Sequence, residues 1–185
     1  MYKYYSIYDF IGKLSGQLPK DCVVLADAGN TGFGVSQAIK LREGMRYITS
    51  GAQMDMGFAL PASIGVACVT DNPVIAIIGD GSFQLNVQEL TVIAFHKFPI
   101  KMFVINNNGY SCIRNMQKKS FDDNLIGTDS ASGLSFPKTK DIAKAYGIEY
   151  HIWSPDDGIG YLTADCPIIA EVFTDPDEQI RSTLV

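Results

Sequence analysis

The residues best placed to do chemistry sit where apolar runs stop. Val74 to Ile78 leads directly into Gly79-Asp80-Gly81-Ser82, and Lys101 to Ile105 leads into Asn106-Asn107-Asn108-Gly109. Glycines let backbone approach an anion closely, and a helix that starts beyond such a turn, here expected near Phe83 to Leu85, offers unpaired N–H groups and a favourable dipole. Phosphate binding is a natural use of that turn. A carboxylate at Asp80 would repel a bare phosphate, so its presence argues for a cation bridging the two. Two plainer readings stand beside this one. Gly-Asp-Gly after a strand also forms ordinary tight turns, and an asparagine run also ends strands as Asx-turns.

The elements that must position these residues follow from the hydrophobic pattern. Val23 to Ala26, Val74 to Ile78, Lys101 to Ile105 and Ile168 to Phe173 are short, continuous apolar runs rich in β-branched residues, and segments of helical spacing lie between them. This is an α/β alternation, and strands of that kind suit a parallel sheet covered on both faces. Val87, Leu90, Thr91, Ala94 and Phe95 recur at intervals of three and four, which predicts one buried helix face. Phe58 to Val69 and Thr139 to Tyr146 are expected to be helices, and Phe121 to Lys138 a long site-lining connection. A right-handed crossover then brings Asp80 and Asn107 to one sheet edge on strands about 4.8 Å apart. There the Asp80 carboxylate, the Asn107 side-chain oxygen and a carbonyl near Gly109, with phosphate oxygens and water, could complete the six-oxygen shell that Mg²⁺ demands.

The chain has 185 residues, 46% of them hydrophobic and 19% charged, which fits one folded domain spanning 1–185. A formal charge of −5 with scattered Lys and Arg provides no basic stripe, so nucleic acid and membrane surfaces are not expected partners. Cys22, Cys68, Cys112 and Cys166 form no C-x-x-C pair, and His96 and His151 are the only histidines, which argues for reduced thiols in a cytoplasmic protein.

Gly79-Asp80-Gly81, followed after twenty-four intervening residues by Asn106-Asn107, resembles the cofactor signature of thiamine-diphosphate enzymes. Ser82-Phe83-Gln84-Leu85-Asn86-Val87-Gln88-Glu89-Leu90 resembles the acetolactate synthase and pyruvate decarboxylase branch, as do Met56 to Gly65 and Pro167 to Val172. The likeness runs from about Asp21 to Pro176. It implies the C-terminal, diphosphate-binding (PP) domain of an acetolactate synthase-like enzyme: a three-layer α/β/α fold around a mainly parallel sheet of about six strands. It further implies that Asp80, Asn107 and the Gly109 carbonyl ligate Mg²⁺, and that Asn30, Thr31, Gly79, Gly81 and Ser82 hold the diphosphate. By the same likeness Met56 wedges between the cofactor's rings, and the Met54 carbonyl accepts from the aminopyrimidine.

The resemblance implies a transferase or lyase that decarboxylates a 2-oxo acid and joins the product to a second carbonyl compound. Tyr110, Cys112, Ile113, Arg114 and Met116 would line the substrate side, with Arg114 either meeting a carboxylate or lying solvated on the surface. Pyruvate decarboxylases carry an acid at the position of Ile113. Acetolactate synthases usually carry Met at Cys112 and Trp at Met116. The glutamate that activates the cofactor belongs, in such enzymes, to a separate pyrimidine-binding domain that nothing in this chain resembles, so the isolated chain is expected to be inactive. Tyr5 to Ile11 resembles a helix found mid-chain in relatives, which favours an excised domain of a longer homo-oligomeric enzyme, dimer or tetramer. The alternatives are the small subunit of a split decarboxylase or oxidoreductase, or a degenerate, non-catalytic domain.

Overall fold

The structure is a computed structural model that describes residues 3–156 and 160–181. Met1, Tyr2, residues 157–159 and residues 182–185 lie outside the described residues. Six strands form one sheet in the order β2-β1-β3-β4-β6-β5, every pairing parallel. They are β1 (Val23–Ala26), β2 (Arg46–Thr49), β3 (Val74–Gly79), β4 (Lys101–Asn106), β5 (Glu149–Ile152) and β6 (Ile168–Phe173). The helices are α1 (Ile7–Gln17), α2 (Gly29–Ala38), α3 (Ala59–Ala67), α4 (Asp80–Leu85), α5 (Leu90–His96), α6 (Ser111–Ser120) and α7 (Thr139–Tyr146).

Alternation along the strands builds two cores. Val24, Ala26, Ile75, Ile77, Phe103, Ile105, Ala170 and Val172 face α1 and α2, whereas Val23, Leu25, Ala76, Ile78, Met102, Val104 and Ile169 face α3, α5 and α7. The central strands are buried on both sides, which explains why they read as unbroken apolar runs. β2 and β5 have mixed polar sequences (RYIT and EYHI) and part-exposed edge positions, so they give no such signal.

The segment after β3 departs from expectation. The helix begins at Asp80 itself, not near Phe83, and ends at Leu85; a short 3₁₀ turn (Val87–Glu89) then leads into α5. The break rotates the expected apolar face. Leu90 and Ile93 point into the core, while Thr91 is exposed and Phe95 is 80% exposed. Asn86, at the break, donates through its side-chain amide to the Gly57 carbonyl at 2.8 Å, so a residue spent on the kink also ties down a neighbouring loop.

α1 closes one face through Phe10, which is fully buried and packs edge-on against Trp153 at 5.0 Å and tilted against Phe103 of β4 at 5.3 Å. Phe10→Ala is expected to cost about 3–5 kcal/mol, read from the urea midpoint at unchanged slope.

Candidate functional site

The strand order reverses between β1 and β3, since the chain passes outward to β2 and returns to the other side of β1. In open α/β sheets the crevice beyond the carboxyl ends of the strands at such a point is where ligands bind. The register pairs Ala26 with Ile77 and Gly79 with Ile105, so Asp27, Asp80 and Asn107 leave the sheet along the same edge. A cavity of about 290 Å³ opens there. Its walls are residues 28–31 and Phe33 from the start of α2, 79–82 from the start of α4, Asn107 with 109–113 from the start of α6, and Met54 and Met56.

Three helices therefore begin at this cavity, and none of them has a side-chain cap. The leading N–H groups of a helix have no partner within it, and three such ends around one hollow make an environment for an anion. Asn30 donates to Ser111 Oγ at 2.8 Å and ties two of those ends together. The Tyr110 ring packs against Gly81, where a Cβ would overlap it, so glycine there is a packing requirement.

Asp80 is 7% exposed and its carboxylate spans two turns. Oδ1 accepts the Gly81 N–H and Oδ2 accepts the Gly109 N–H, each at 2.9 Å. The second bond joins the end of β3 to the turn after β4. That turn carries Asn108 at φ 60° and Gly109 at φ 116°, and a Cβ at Gly109 would overlap the Thr128 carbonyl. Burial pushes the Asp80 carboxyl up to about 7, against the lowering effect of those amides and of nearby Arg114. Asn107 Oδ1 is buried with no hydrogen-bond partner, a costly state for a carbonyl oxygen. A carboxylate, an orphaned carboxamide oxygen and an adjacent backbone carbonyl are the hard oxygen donors that suit a divalent cation. The donor set fits Mg²⁺. Among the described residues no cluster of three or more His, Cys, Asp or Glu side chains offers a rival metal site.

Of the residues singled out in the sequence, Asn30, Thr31, Met54, Met56, Gly79, Asp80, Gly81, Ser82, Asn107, Gly109, Tyr110, Cys112 and Ile113 all line this cavity. Burial raises the Cys112 thiol above its ordinary range. Two residues do not belong to it. Met116 lies one turn beyond Ile113 on α6, 45% exposed and outside the cavity wall. Arg114 does not lie solvated on the surface, and its guanidinium is engaged by backbone carbonyls behind the cavity wall. It is 3% exposed and donates to the carbonyls of Asn107 at 2.9 Å, Asn108 at 3.1 Å, Thr128 at 3.2 Å and Pro176 at 2.7 Å. Its five donors suit such a cluster of carbonyls, and they fasten the turn after β4 to the 121–138 connection and the C-terminal segment.

Asp27 escaped the sequence reading. Fully buried at the end of β1, it accepts from Ala28 and Gly57 N–H groups at 2.9 Å and from Ala59 at 3.2 Å, which fixes the loop that carries Met56. Burial raises its carboxyl too. The available signal was an acid set between an apolar strand and a glycine.

The chain also matches known proteins. Residues 27–161 match the family described as thiamine pyrophosphate enzyme, C-terminal TPP binding domain, and the chain belongs to that family. Within it, the chain is a domain of the acetolactate synthase-like branch. It is 32% identical over 174 residues to the acetolactate synthase isozyme 2 large subunit of Escherichia coli K12, covering 91% of this chain and 31% of that protein. It is 30% identical over 174 residues to the acetolactate synthase large subunit of Lactococcus lactis, covering 91% of this chain and 30% of that one. The chain thus spans about a third of the length of these relatives. Its fold superposes on the thiamine diphosphate-dependent 4-hydroxybenzoylformate decarboxylase of Rhodococcus jostii RHA1 with a TM-score of 0.83 at 23% identity, over 97% of this chain and 34% of that one.

The raised Asp80 carboxyl fixes the sign of a pH effect. A group whose folded pKa exceeds its unfolded value, here about 7 against 3.8, stabilises the fold most below the unfolded value and loses that contribution as pH rises through the folded one. The metal-free chain should therefore lose melting temperature between about pH 4 and pH 8. Asp80→Asn should flatten the decline, without abolishing it, because Asp27 acts in the same direction. Melting curves in chelator across that range check this.

Proposed function

We propose that the chain holds the diphosphate of thiamine diphosphate through Mg²⁺, as the PP domain of an enzyme that decarboxylates a 2-oxo acid and ligates the product to a second carbonyl compound. The observation that carries the reading is the buried, unpartnered Asn107 Oδ1, in a residue that lines the same cavity as the buried Asp80. Asp80, Asn107 and the Gly109 carbonyl would take the cation. The uncapped starts of α2, α4 and α6, with Thr31 and Ser82, would take the phosphate oxygens. When bound, the cofactor supplies the electron sink that lets a 2-oxo acid lose CO₂.

This chain's residues bind and orient. Asp27 fixes the loop of Met54 and Met56, so the Met56 side chain stands at the cavity mouth as an apolar wedge. Tyr110, Cys112 and Ile113 form a mostly apolar wall that would keep water from the reacting end. The activating carboxyl comes from elsewhere, from a pyrimidine-binding domain of a longer polypeptide or of a second subunit, and the chain alone is inactive. Phe33, Met56 and Ile113, exposed by 39–43% around the cavity mouth, support a partner surface at that position. The spread of the match over a third of each acetolactate synthase large subunit supports it as well. The four free cysteines favour a reducing, cytoplasmic setting.

Calorimetric titration with thiamine diphosphate, with and without Mg²⁺, tests the reading. Binding is expected only with the metal, and Asp80→Ala is expected to weaken it at least tenfold, in line with loss of a ligand from a hard-cation site. Equal binding in chelator, or an Asp80→Ala variant that binds as tightly as the parent, would overturn it.

A further inference from the structure

Glu171 is a buried acid in the middle of β6, 5% exposed, and no step above uses it. Its partners are all neutral donors: Asn106 Nδ2 at 2.7 Å and Thr139 Oγ1 at 2.9 Å on Oε1, and the Tyr150 hydroxyl at 2.5 Å on Oε2. These come from the last residue of β4, the first turn of α7 and the edge strand β5. A buried carboxylate saturated by directed donors is a fixed point, because moving it would strand its oxygens unpaired. The Asn106 carboxamide it grips has one remaining function. Its Oδ1 accepts the Asn108 N–H at 3.1 Å, which closes an Asx-turn around Asn107. That turn sets Asn108 at φ 60° and delivers the Gly109 N–H to Asp80 Oδ2. The register makes the link possible. Val104 pairs with Glu171 and Asn106 with Phe173, so Asn106 and Glu171 are diagonal neighbours on one face of the sheet.

We propose that Glu171 is a positioning residue for the cation-binding turn: by holding the Asn106 amide it fixes which way the carboxamide points, and so sets the backbone from Asn107 to Gly109. Thr139 and Tyr150 hold Glu171 in turn. This rests on the proposed use of Asn107 and Gly109 as metal ligands, yet the strut has a consequence of its own with no metal present.

The test exchanges donor and acceptor. Asn106→Asp sets a carboxylate against Glu171, whereas Asn106→Asp with Glu171→Gln restores a donor facing an acceptor, with the direction reversed. Mn²⁺ affinity in the presence of thiamine diphosphate is read by electron paramagnetic resonance. Gly109 amide exchange is read separately, in chelator. Asn106→Asp is expected to weaken Mn²⁺ by about 10- to 100-fold, the usual effect of losing an outer-shell partner, and to speed Gly109 exchange. Coulomb attraction from the added charge alone would tighten the metal, so the sign separates the strut from simple electrostatics. The double variant is expected to recover both readouts to within about threefold of the parent. A folded double variant no better than the single one, or an Asn106→Asp chain whose Gly109 exchange is unchanged, would overturn the strut. Failure of the parent to bind Mn²⁺ would count against the metal reading only, because the exchange arm still judges the strut.

Discussion

The bond from the Gly109 amide to the buried Asp80 carboxylate is the constraint on which the rest of the site depends. It joins the turn after β3 to the turn after β4, segments twenty-nine positions apart in the chain, within the sheet's central layer. Because the carboxylate is buried, its charge is disfavoured without a counter-charge, and it is held in place by amides whose number is set by the backbone. The fold thus keeps a hard, anionic oxygen pair in a place where the chain spends stability to have it. That is a common signature of a functional site.

Around this bond the protein builds rigidity from the interior outward. Arg114 gathers four backbone carbonyls from three segments, and Asp27 fixes the methionine loop from the neighbouring strand. The three helix starts that share the cavity supply positive ends without committing a formal cation to it. On the mouth side the pattern inverts. Phe33, Met56 and Ile113 stand part-exposed, so the half of the site nearest the sheet is finished and the outer half is open.

Much of this was legible in the residues, and the exceptions have physical causes. The four central strands appear with nearly the expected bounds, because burial on both faces leaves an unmistakable apolar run. β2 and β5 lie at the sheet's edges and carry mixed sequences that periodicity cannot separate from loop. The helix after β3 was misplaced because Asn86 interrupts it, and its apolar spacing runs straight through a kink. Cavity residues could be found from strand ends and glycine turns. Arg114 could not, since its hydrogen bonds go to backbone carbonyls, which leave no mark in the sequence, and its ion pair with Asp129, at 4.0 Å, joins residues with no periodic spacing. Asp27 and Glu171 were hidden for the related reason that most of their partners are amides and hydroxyls distant along the chain.

The central claim is that Asp80 and Asn107 share one cation with a diphosphate. An anomalous-difference map from crystals grown with Mn²⁺ and thiamine diphosphate tests it directly. The account predicts a single peak bonded to Asp80, Asn107 Oδ1 and the Gly109 carbonyl, at separations on the order of 2.1–2.2 Å. A peak that engages the diphosphate but leaves Asn107 Oδ1 without a metal bond, or lies away from Asp80, would contradict it.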